Sequence, residues 1–135
     1  MAGIQKAGTT ETDPDTPAPL LVLVSCPVDN RPDGAPRLSG KMKIKVKADS
    51  LAGSIYGKTE IEEAFHCNYE LNRAYREKLE KAGLKVSGEM ADGGVRIVEL
   101  TDRPFYIGTG FVPQLSSEAK KPHPLIMAYL EAALK

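Results

Sequence analysis

The sequence predicts an α/β domain in which a mixed sheet is flanked by helices. Residues 94–117 contain two apolar segments joined by a polar turn, and the second, Phe105–Phe111, is apolar on both faces, as in a buried central strand. Residues 41–47 alternate lysine with apolar residues, which is the period of a strand with one covered face. Residues 73–82 and 125–134 carry apolar stripes at helical spacing.

Length and composition indicate one neutral domain. The 135 residues are enough for a single core, and 18 basic and 18 acidic side chains cancel, which argues against nucleic acid or an anionic membrane as main partner. No apolar run approaches the ~18 residues that span a bilayer, and the first residues do not resemble a secretion signal. Two cysteines, Cys26 and Cys67, do not make a disulfide framework. We therefore expect a cytoplasmic protein.

The first forty residues predict one strand between two irregular segments. Residues 1–19 are rich in Thr, Asp, Ala and Pro without a hydrophobic period, so we expect an extended or disordered lead-in, followed by the domain at 20–135. Leu20–Val24 is continuously apolar and predicts a buried strand. Residues 27–40 combine Pro and Gly with charges, which is typical of a mobile loop.

Residues 41–47 predict a strand with Met42, Ile44 and Val46 on the covered face and four lysines in water. The lysine row has two interpretations. It is an anion-binding stripe, or it discourages pairing at an exposed sheet edge, which is the commoner use of such lysines.

Three segments in the middle of the chain predict helix. Ser50–Tyr56 predicts a short helical turn ended by the glycine that follows it. Thr59, with Glu62 three residues later, has the pattern of a capping box and predicts a second helical turn. Asn72 is expected to cap a helix over 73–82, which the next glycine ends.

The remaining elements are two strands and a final helix. Leu84–Gly88 predicts a strand, and residues 91–94 predict the hairpin turn that leads into the stretch 94–117. The last helix, 125–134, is expected to bury Leu125, Tyr129 and one alanine near its end.

The end of the predicted central strand is the place where α/β proteins carry catalytic groups. Gly108 and Gly110 mark this corner. The residues there are Val112, Pro113 and Gln114, and none of the three can transfer a proton.

A series of short motifs runs through nearly the whole chain: Thr10-Glu11 with Asp13, Gly40-Lys41-Met42, Ser50-Leu51, Tyr56-Gly57-Lys58, Asn68-Tyr69-Glu70-Leu71-Asn72, Leu79-Glu80-Lys81-Ala82-Gly83-Leu84, Val86-Ser87-Gly88, Glu99-Leu100, Pro104-Phe105, Gly108-Thr109, Phe111 with Pro113, and Pro122-His123-Pro124-Leu125. In this order they resemble the C-terminal half of the class I glutamine amidotransferase domain of CTP synthase. The resemblance implies a partial, flavodoxin-like domain. Residues 25–37 depart most from the family and suggest a separate CTP-synthase-related subfamily.

The resemblance also implies a degenerate active site. Such domains hydrolyse glutamine with a cysteine on a strand-to-helix elbow, a histidine base and a glutamate that orients it. Where the family has Phe-His-Pro-Glu, this chain has Phe111, Val112, Pro113 and Gln114, and the cysteine elbow is expected upstream of residue 1. No catalytic residue is intact. Losing a nucleophile or base typically lowers turnover on the order of a million-fold, so glutaminase activity from this chain alone is not expected.

The family's glutamine-contacting stretch corresponds to residues 64–68, which makes His66, Cys67, Asn68 and Tyr69 the candidate substrate-binding residues for glutamine or a related small molecule. No cofactor is implied. Two Cys and two His without short paired spacing do not predict a metal site.

Two cysteines are candidate replacement nucleophiles. Cys26 follows a predicted strand, but Pro27 comes next and no glycine elbow surrounds it, which favours a structural thiol. Cys67 is either a packed cysteine or the partner of His123, provided that the C-terminal loop folds back over it. His123 itself is expected to contact the N-terminus of the last helix.

Three function classes follow. The first is a non-hydrolytic glutamine amidotransferase-like module whose exposed strand edge leads to self-association or to a partner chain. The second is part of a working CTP synthase-type glutaminase that another chain completes, supplying ammonia for the amination of UTP to CTP. The third is a thiol-dependent function at Cys67.

Overall fold

The computed structural model describes residues 2–23, 39–66 and 69–135. Cys26, Cys67, Asn68 and most of the predicted loop lie outside the described residues. The elements are β1 (Ala7–Thr9), β2 (Ala18–Leu23), β3 (Ser39–Val46), α1 (Leu51–Tyr56), β4 (Glu60–His66), β5 (Tyr69–Leu71), a first 3-10 turn (Arg73–Tyr75), α2 (Arg76–Lys81), β6 (Leu84–Glu89), β7 (Val95–Leu100), β8 (Ile107–Thr109), a second 3-10 turn (Pro113–Ser116) and α3 (Pro124–Ala133).

The described strands form two sheets. The larger has the order β4-β3-β6-β7-β8, with antiparallel pairing throughout. The smaller has the order β1-β2-β5, in which β1 runs parallel and β5 antiparallel to β2. The predicted α/β class, a mixed arrangement of strands with flanking helices, is confirmed.

The core lies on the inner face of the five-stranded sheet, and β3 supplies much of it. Met42, Ile44 and Val46 are only 7%, 1% and 5% exposed, as the alternating pattern predicts. They pack in one cluster with residues from β7 and α3, including Ile97 and Leu125. The period-2 pattern identified this strand because one face of it meets the core and the other meets water.

The edge interpretation of the lysine row is wrong at the end of β3, where Lys45 is paired with β6 as well as with β4, whereas residues 39–44 pair with β4 alone among the described strands. The register instead sets Lys43 opposite Glu62 and Lys45 opposite Glu60, and Lys41 forms an ion pair with Glu62 at 3.3 Å. Opposite charges across neighbouring strands stabilise the pairing. The glutamates also offset the positive charge that an anion-binding stripe requires.

The helical turn predicted at Thr59–Glu62 is wrong, since these residues lead into and begin strand β4. Ile61 and Glu63 face inward and are 5% and 4% exposed, and residues 60–66 pair in sequence with β3. The capping-box pattern is local, and the long ladder with a neighbouring strand outweighs it.

The predicted strand Leu20–Val24 corresponds to β2, but the expectation of burial is wrong. Leu21 and Leu23 are 42% and 57% exposed. The reason is that β2 belongs to the small sheet and not to the sheet that holds the core. In the predicted lead-in, residues 7–9 form β1 and pair with β2. The division of the chain at residues 19 and 20 stays a prediction.

The apolar segment Phe105–Phe111 is not a central strand in the described part of the chain. Only Ile107–Thr109 is a strand, and it lies at the end of the five-stranded sheet with partly exposed residues. A continuous apolar run predicts a strand that is covered on all sides, whereas β8 has one neighbouring strand, β7, among the described residues.

The helices follow the predictions with two differences. Ser50 caps α1 by accepting the Gly53 N–H at 2.9 Å, and Gly57 ends it in the left-handed region, at φ +64°.

The helix expected at 73–82 is divided into a 3-10 turn and α2. In α3, Leu125 is buried as expected, but Tyr129 is 58% exposed, so its predicted burial is wrong. None of the described helices is long and apolar enough to cross a membrane.

Candidate functional site

The corner after β8 brings two predicted site segments together. Phe111 is 4% exposed and anchors the chain in the core, and the second 3-10 turn begins directly after Val112. The Val112 N–H donates a hydrogen bond to the Ala64 carbonyl oxygen at 3.0 Å. Ala64 lies two residues before the end of strand β4. The positions predicted to be degenerate therefore adjoin the start of the predicted glutamine-contacting stretch.

The side chains of Val112 and Gln114, which are predicted to occupy the family's catalytic positions, include no acid or base. Val112 is half-buried and Gln114 is exposed. An aliphatic group and a neutral amide do not accept a proton from a thiol or orient an imidazole.

The predicted substrate-binding residues occupy the connection from β4 to β5. His66 is exposed at the last position of β4, where it is paired with Ser39, and Tyr69 is half-buried at the first position of β5. Cys67 and Asn68 lie outside the described residues, so their predicted role is not tested.

A groove of about 440 Å³ lies beside this corner. It is apolar along most of its length and reaches Gln114, one of the positions predicted to be degenerate. Its lining residues are Phe105, Ile107, Thr109, Pro113, Gln114, Leu125, Ile126 and Tyr129.

His123 is buried in the N-terminal cap of α3. Its exposed fraction is 3%, and its Nδ1 accepts the Leu125 N–H at 3.2 Å, so the predicted contact with the last helix is confirmed. Because Nδ1 accepts, Nε2 carries the proton and donates to Glu63 Oε1 at 2.9 Å. Both ring nitrogens are thereby engaged, which argues against the alternative in which His123 activates Cys67.

Glu63 accepts a second hydrogen bond, from the Tyr56 hydroxyl at 2.7 Å. The Tyr56 ring lies edge-on to the His123 ring, with centroids 5.9 Å apart. The other carboxylate oxygen, Glu63 Oε2, is buried without a hydrogen-bond partner among the described residues. Tyr56, Glu63 and His123 therefore form a buried polar cluster that joins α1, β4 and α3.

The pKa of the Tyr56 phenol is raised well above its ordinary value. Burial is the largest cause, followed by the hydrogen bond to the Glu63 carboxylate and its negative charge. Each of these makes removal of the phenol proton less favourable in the folded chain than in water.

This shift predicts a loss of stability in alkali. A tyrosine in the unfolded chain ionises near pH 10, whereas the folded chain holds the Tyr56 proton to higher pH. The stability that the protonated Tyr56 phenol contributes to the folded chain is fully present below about pH 10. It is lost as the pH rises toward the folded pKa. Urea denaturation between about pH 9 and 11 should show a steeper fall for the native chain than for Tyr56→Phe. Equal slopes would contradict the assignment.

Another buried carboxylate holds α1 in place. Glu99 of β7 is 2% exposed and accepts the N–H groups of Leu51 at 3.1 Å and Ala52 at 2.7 Å, the first residues of α1. These bonds satisfy donors that a helix N-terminus leaves without intrahelical partners.

Sequence reasoning assigned no role to Glu63 or Glu99. Each of the two glutamates stands at a position of its strand where the alternation of inward and outward residues predicts a buried side chain. A carboxylate at such a position is the signal that could have identified them. Among residues 2–23, 39–66 and 69–135, no group of three or more His, Cys, Asp or Glu side chains is arranged to hold a metal ion.

Comparison with known proteins identifies relatives of this chain. No family model matches the chain. It is 38% identical to the CTP synthase of Syntrophus aciditrophicus over 136 residues and 37% identical to that of Staphylococcus aureus, covering 100% of this chain and 25% of each relative. The CTP synthase of Rubrobacter xylanophilus is also 38% identical over 99% of this chain. The chain thus spans about a quarter of the length of the curated relatives it matches.

A solved structure gives the same result. The glutaminase domain of Trypanosoma brucei CTP synthase, determined with bound acivicin, superposes with a TM-score of 0.89 at 25% identity, covering 99% of this chain and 53% of that one. The fold is therefore that of a class I glutamine amidotransferase-like domain. Within that class, the chain is a homologue of the C-terminal glutaminase part of CTP synthase.

Proposed function

We propose that this chain is a CTP synthase-related glutamine amidotransferase-like module that does not hydrolyse glutamine on its own. The observation that carries the proposal is the pair Val112 and Gln114 at the corner after β8, where the resemblance expects a histidine base and its orienting glutamate. Catalysis by thiolate attack needs both groups beside the nucleophile.

The chain's own histidines do not replace the missing base. It contains two, and His123 is buried with both nitrogens hydrogen-bonded. His66 is exposed at the end of β4, in the stretch proposed to contact substrate. Its position supports a part in ligand binding, with glutamine or a related small molecule as ligand, and the acivicin held by the T. brucei domain is consistent with such a pocket.

A second candidate is that the chain forms part of a working CTP synthase-type glutaminase. The observation that favours it is the coverage of 53% of the T. brucei domain, which leaves room for a second chain to supply nucleophile and base. Ammonia from that site would then serve the amination of UTP to CTP.

Ammonia release from glutamine separates the two candidates. We expect none from the purified chain, nor from the chain co-expressed with the complementary fragment, defined as the part of the T. brucei glutaminase domain that has no counterpart here. The double variant Val112→His/Gln114→Glu should release ammonia with that fragment, because it restores the base and its orienting acid. Release by the native pair would favour the second candidate, and release by the native chain alone would refute the first.

The thiol-dependent function stays a prediction, because Cys67 lies outside the described residues. A cytoplasmic location likewise stays a proposal, supported by the small number of cysteines.

A further inference from the structure

The outward side of the paired strands β3 and β4 carries two rows of opposite charge that lie side by side. On β3 the outward residues include Lys41, Lys43 and Lys45, and on β4 they include Glu60 and Glu62. The register sets Lys43 directly opposite Glu62 and Lys45 directly opposite Glu60. All five residues are exposed, and together they are called the charged face below. The face therefore has a positive strip along one strand and a negative strip along the next.

Most of the charges on this face have no ion-pair partner within the described part of the chain. Lys41 and Glu62 form the one ion pair of the face there, at 3.3 Å. Lys43, Lys45 and Glu60 form none with any described residue. An ammonium group has three donors and a carboxylate has about four acceptor sites, so these side chains can bind groups of another molecule.

A second groove of about 440 Å³ lies on the charged face. Lysines and glutamates of both rows line it, together with Lys58, which precedes β4, and Ala91, which follows β6. The complete lining is Lys43, Ile44, Lys45, Lys58, Glu60, Ile61, Glu62 and Ala91. The groove thus has both signs of charge in its wall and can receive charged side chains from an opposing surface.

We propose that the charged face binds a second copy of this chain across a two-fold axis. The axis runs parallel to the strands, between the two molecules and midway between β3 and β4. A half-turn about it places the lysine row of one copy over the glutamate row of the other, with positions along the strands unchanged. Lys43 of one copy then faces the partner's Glu62, and Lys45 faces the partner's Glu60. Each contact occurs twice, because an isologous interface uses the same patch on both subunits.

Charge complementarity selects a second copy over other occupants. An acidic partner would be attracted by the lysine row but repelled by Glu60 and Glu62, and a basic partner would meet the reverse. Sheets packed face to face lie about 10 Å apart, a distance that a lysine and a glutamate pointing toward each other can span. Since exposed ion pairs contribute little each, we expect a weak dimer that depends on salt.

The first test is analytical ultracentrifugation of the purified chain at a series of salt concentrations. The Debye length falls from about 30 Å at 0.01 M salt to about 3 Å at 1 M, so the dimer should dissociate over this range. A chain that is monomeric at every protein concentration in low salt would overturn the proposal, and so would a dimer that high salt leaves unchanged.

Charge reversal tests the register of the contact. Lys43→Glu sets a carboxylate against the partner's Glu62 and should weaken the dimer about tenfold or more, and Glu62→Lys should weaken it similarly by bringing two ammonium groups together. A mixture of the two variants should form a heterodimer, because opposite charges then meet at both contacts. Repulsion within each chain is the same in the mixture as in the separate variants, so the recovery reports only on contacts between chains.

The matched control is Lys58→Glu. It makes the same change of charge in the same groove, but Lys58 lies before β4 and outside the two rows, so the variant should not weaken the dimer. Equal weakening by Lys58→Glu would show that the net charge of the face decides association, and it would overturn the proposed register. Circular dichroism checks the fold of every variant.

Two further outcomes would overturn the proposal. One is failure of the mixed variants to form a heterodimer. The other is a monomeric chain that binds poly-L-glutamate and loses this binding in Lys43→Glu, which would assign the charged face to an acidic partner. None of these outcomes depends on the ammonia assay, because the charged face does not include Val112 or Gln114.

Discussion

Replacing Arg96 by methionine should lower the free energy of unfolding by about 3–5 kcal/mol, as expected when one partner of a buried ion pair is removed. Arg96 Nη2 lies 3.0 Å from Glu70 Oε2, and the two side chains are 4% and 5% exposed. Arg96 belongs to β7 and Glu70 to β5, so this pair joins the two sheets. Without the guanidinium, the Glu70 carboxylate loses its buried counter-charge.

Two controls distinguish this effect from the loss of an ordinary surface contact. Lys81→Met removes an ion pair with Glu77 whose side chains are 74% and 80% exposed, and it should change the unfolding free energy by less than about 1 kcal/mol. The double variant Arg96→Met/Glu70→Leu should be more stable than Arg96→Met, because it also removes the buried carboxylate that Arg96 pairs with. Urea denaturation measures all three. An effect of Arg96→Met no larger than that of Lys81→Met would contradict the assignment.

Replacing Glu63 by alanine should lower the free energy of unfolding by about 3 kcal/mol or more. The substitution leaves the buried His123 Nε2–H and the half-buried Tyr56 hydroxyl without their acceptor, and an unsatisfied buried polar group costs about 1–3 kcal/mol. The shortened side chain also leaves a cavity between β4 and α3.

A variant of His123 separates the two roles of that residue. Asparagine is a good N-cap and can still accept the Leu125 N–H, but it is too short to reach Glu63 in the same way. His123→Asn should therefore be more stable than His123→Ala by about the 1 kcal/mol of a helix cap. Equal unfolding free energies for the two variants, measured in urea, would show that the cap contributes nothing.

The buried cluster has a consequence for the candidate site. Glu63 immediately precedes Ala64, whose carbonyl oxygen receives the Val112 N–H. The cluster thus fixes the end of β4 against α1 and α3, and the hydrogen bond from Val112 sets the second 3-10 turn against β4. The corner is therefore held by hydrogen bonds of the backbone and of the buried cluster, and none of them uses the side chain of Val112 or Gln114.

Local patterns predicted the elements whose contacts are local. The lysine alternation predicted β3 and its inward residues, and Gly57 predicted the end of α1, because a helix cap depends on bonds within a few residues. The capping-box pattern at Thr59 failed for the opposite reason. Its segment is decided by pairing with β3, which precedes it in the chain by more than ten residues.

By itself, the sequence determined the α/β class and the relation to the glutaminase part of CTP synthase, and it predicts that Val112 and Gln114 stand where a base and its orienting acid are expected. These depend on residue identity and order along the chain. Only the tertiary structure decided that β8 is the edge of its sheet, that Glu63 and His123 meet across 60 residues, and that Arg96 is paired with Glu70. Strand order and buried pairing are set by the burial of apolar surface and the satisfaction of polar groups across the whole fold, which no short window of residues contains.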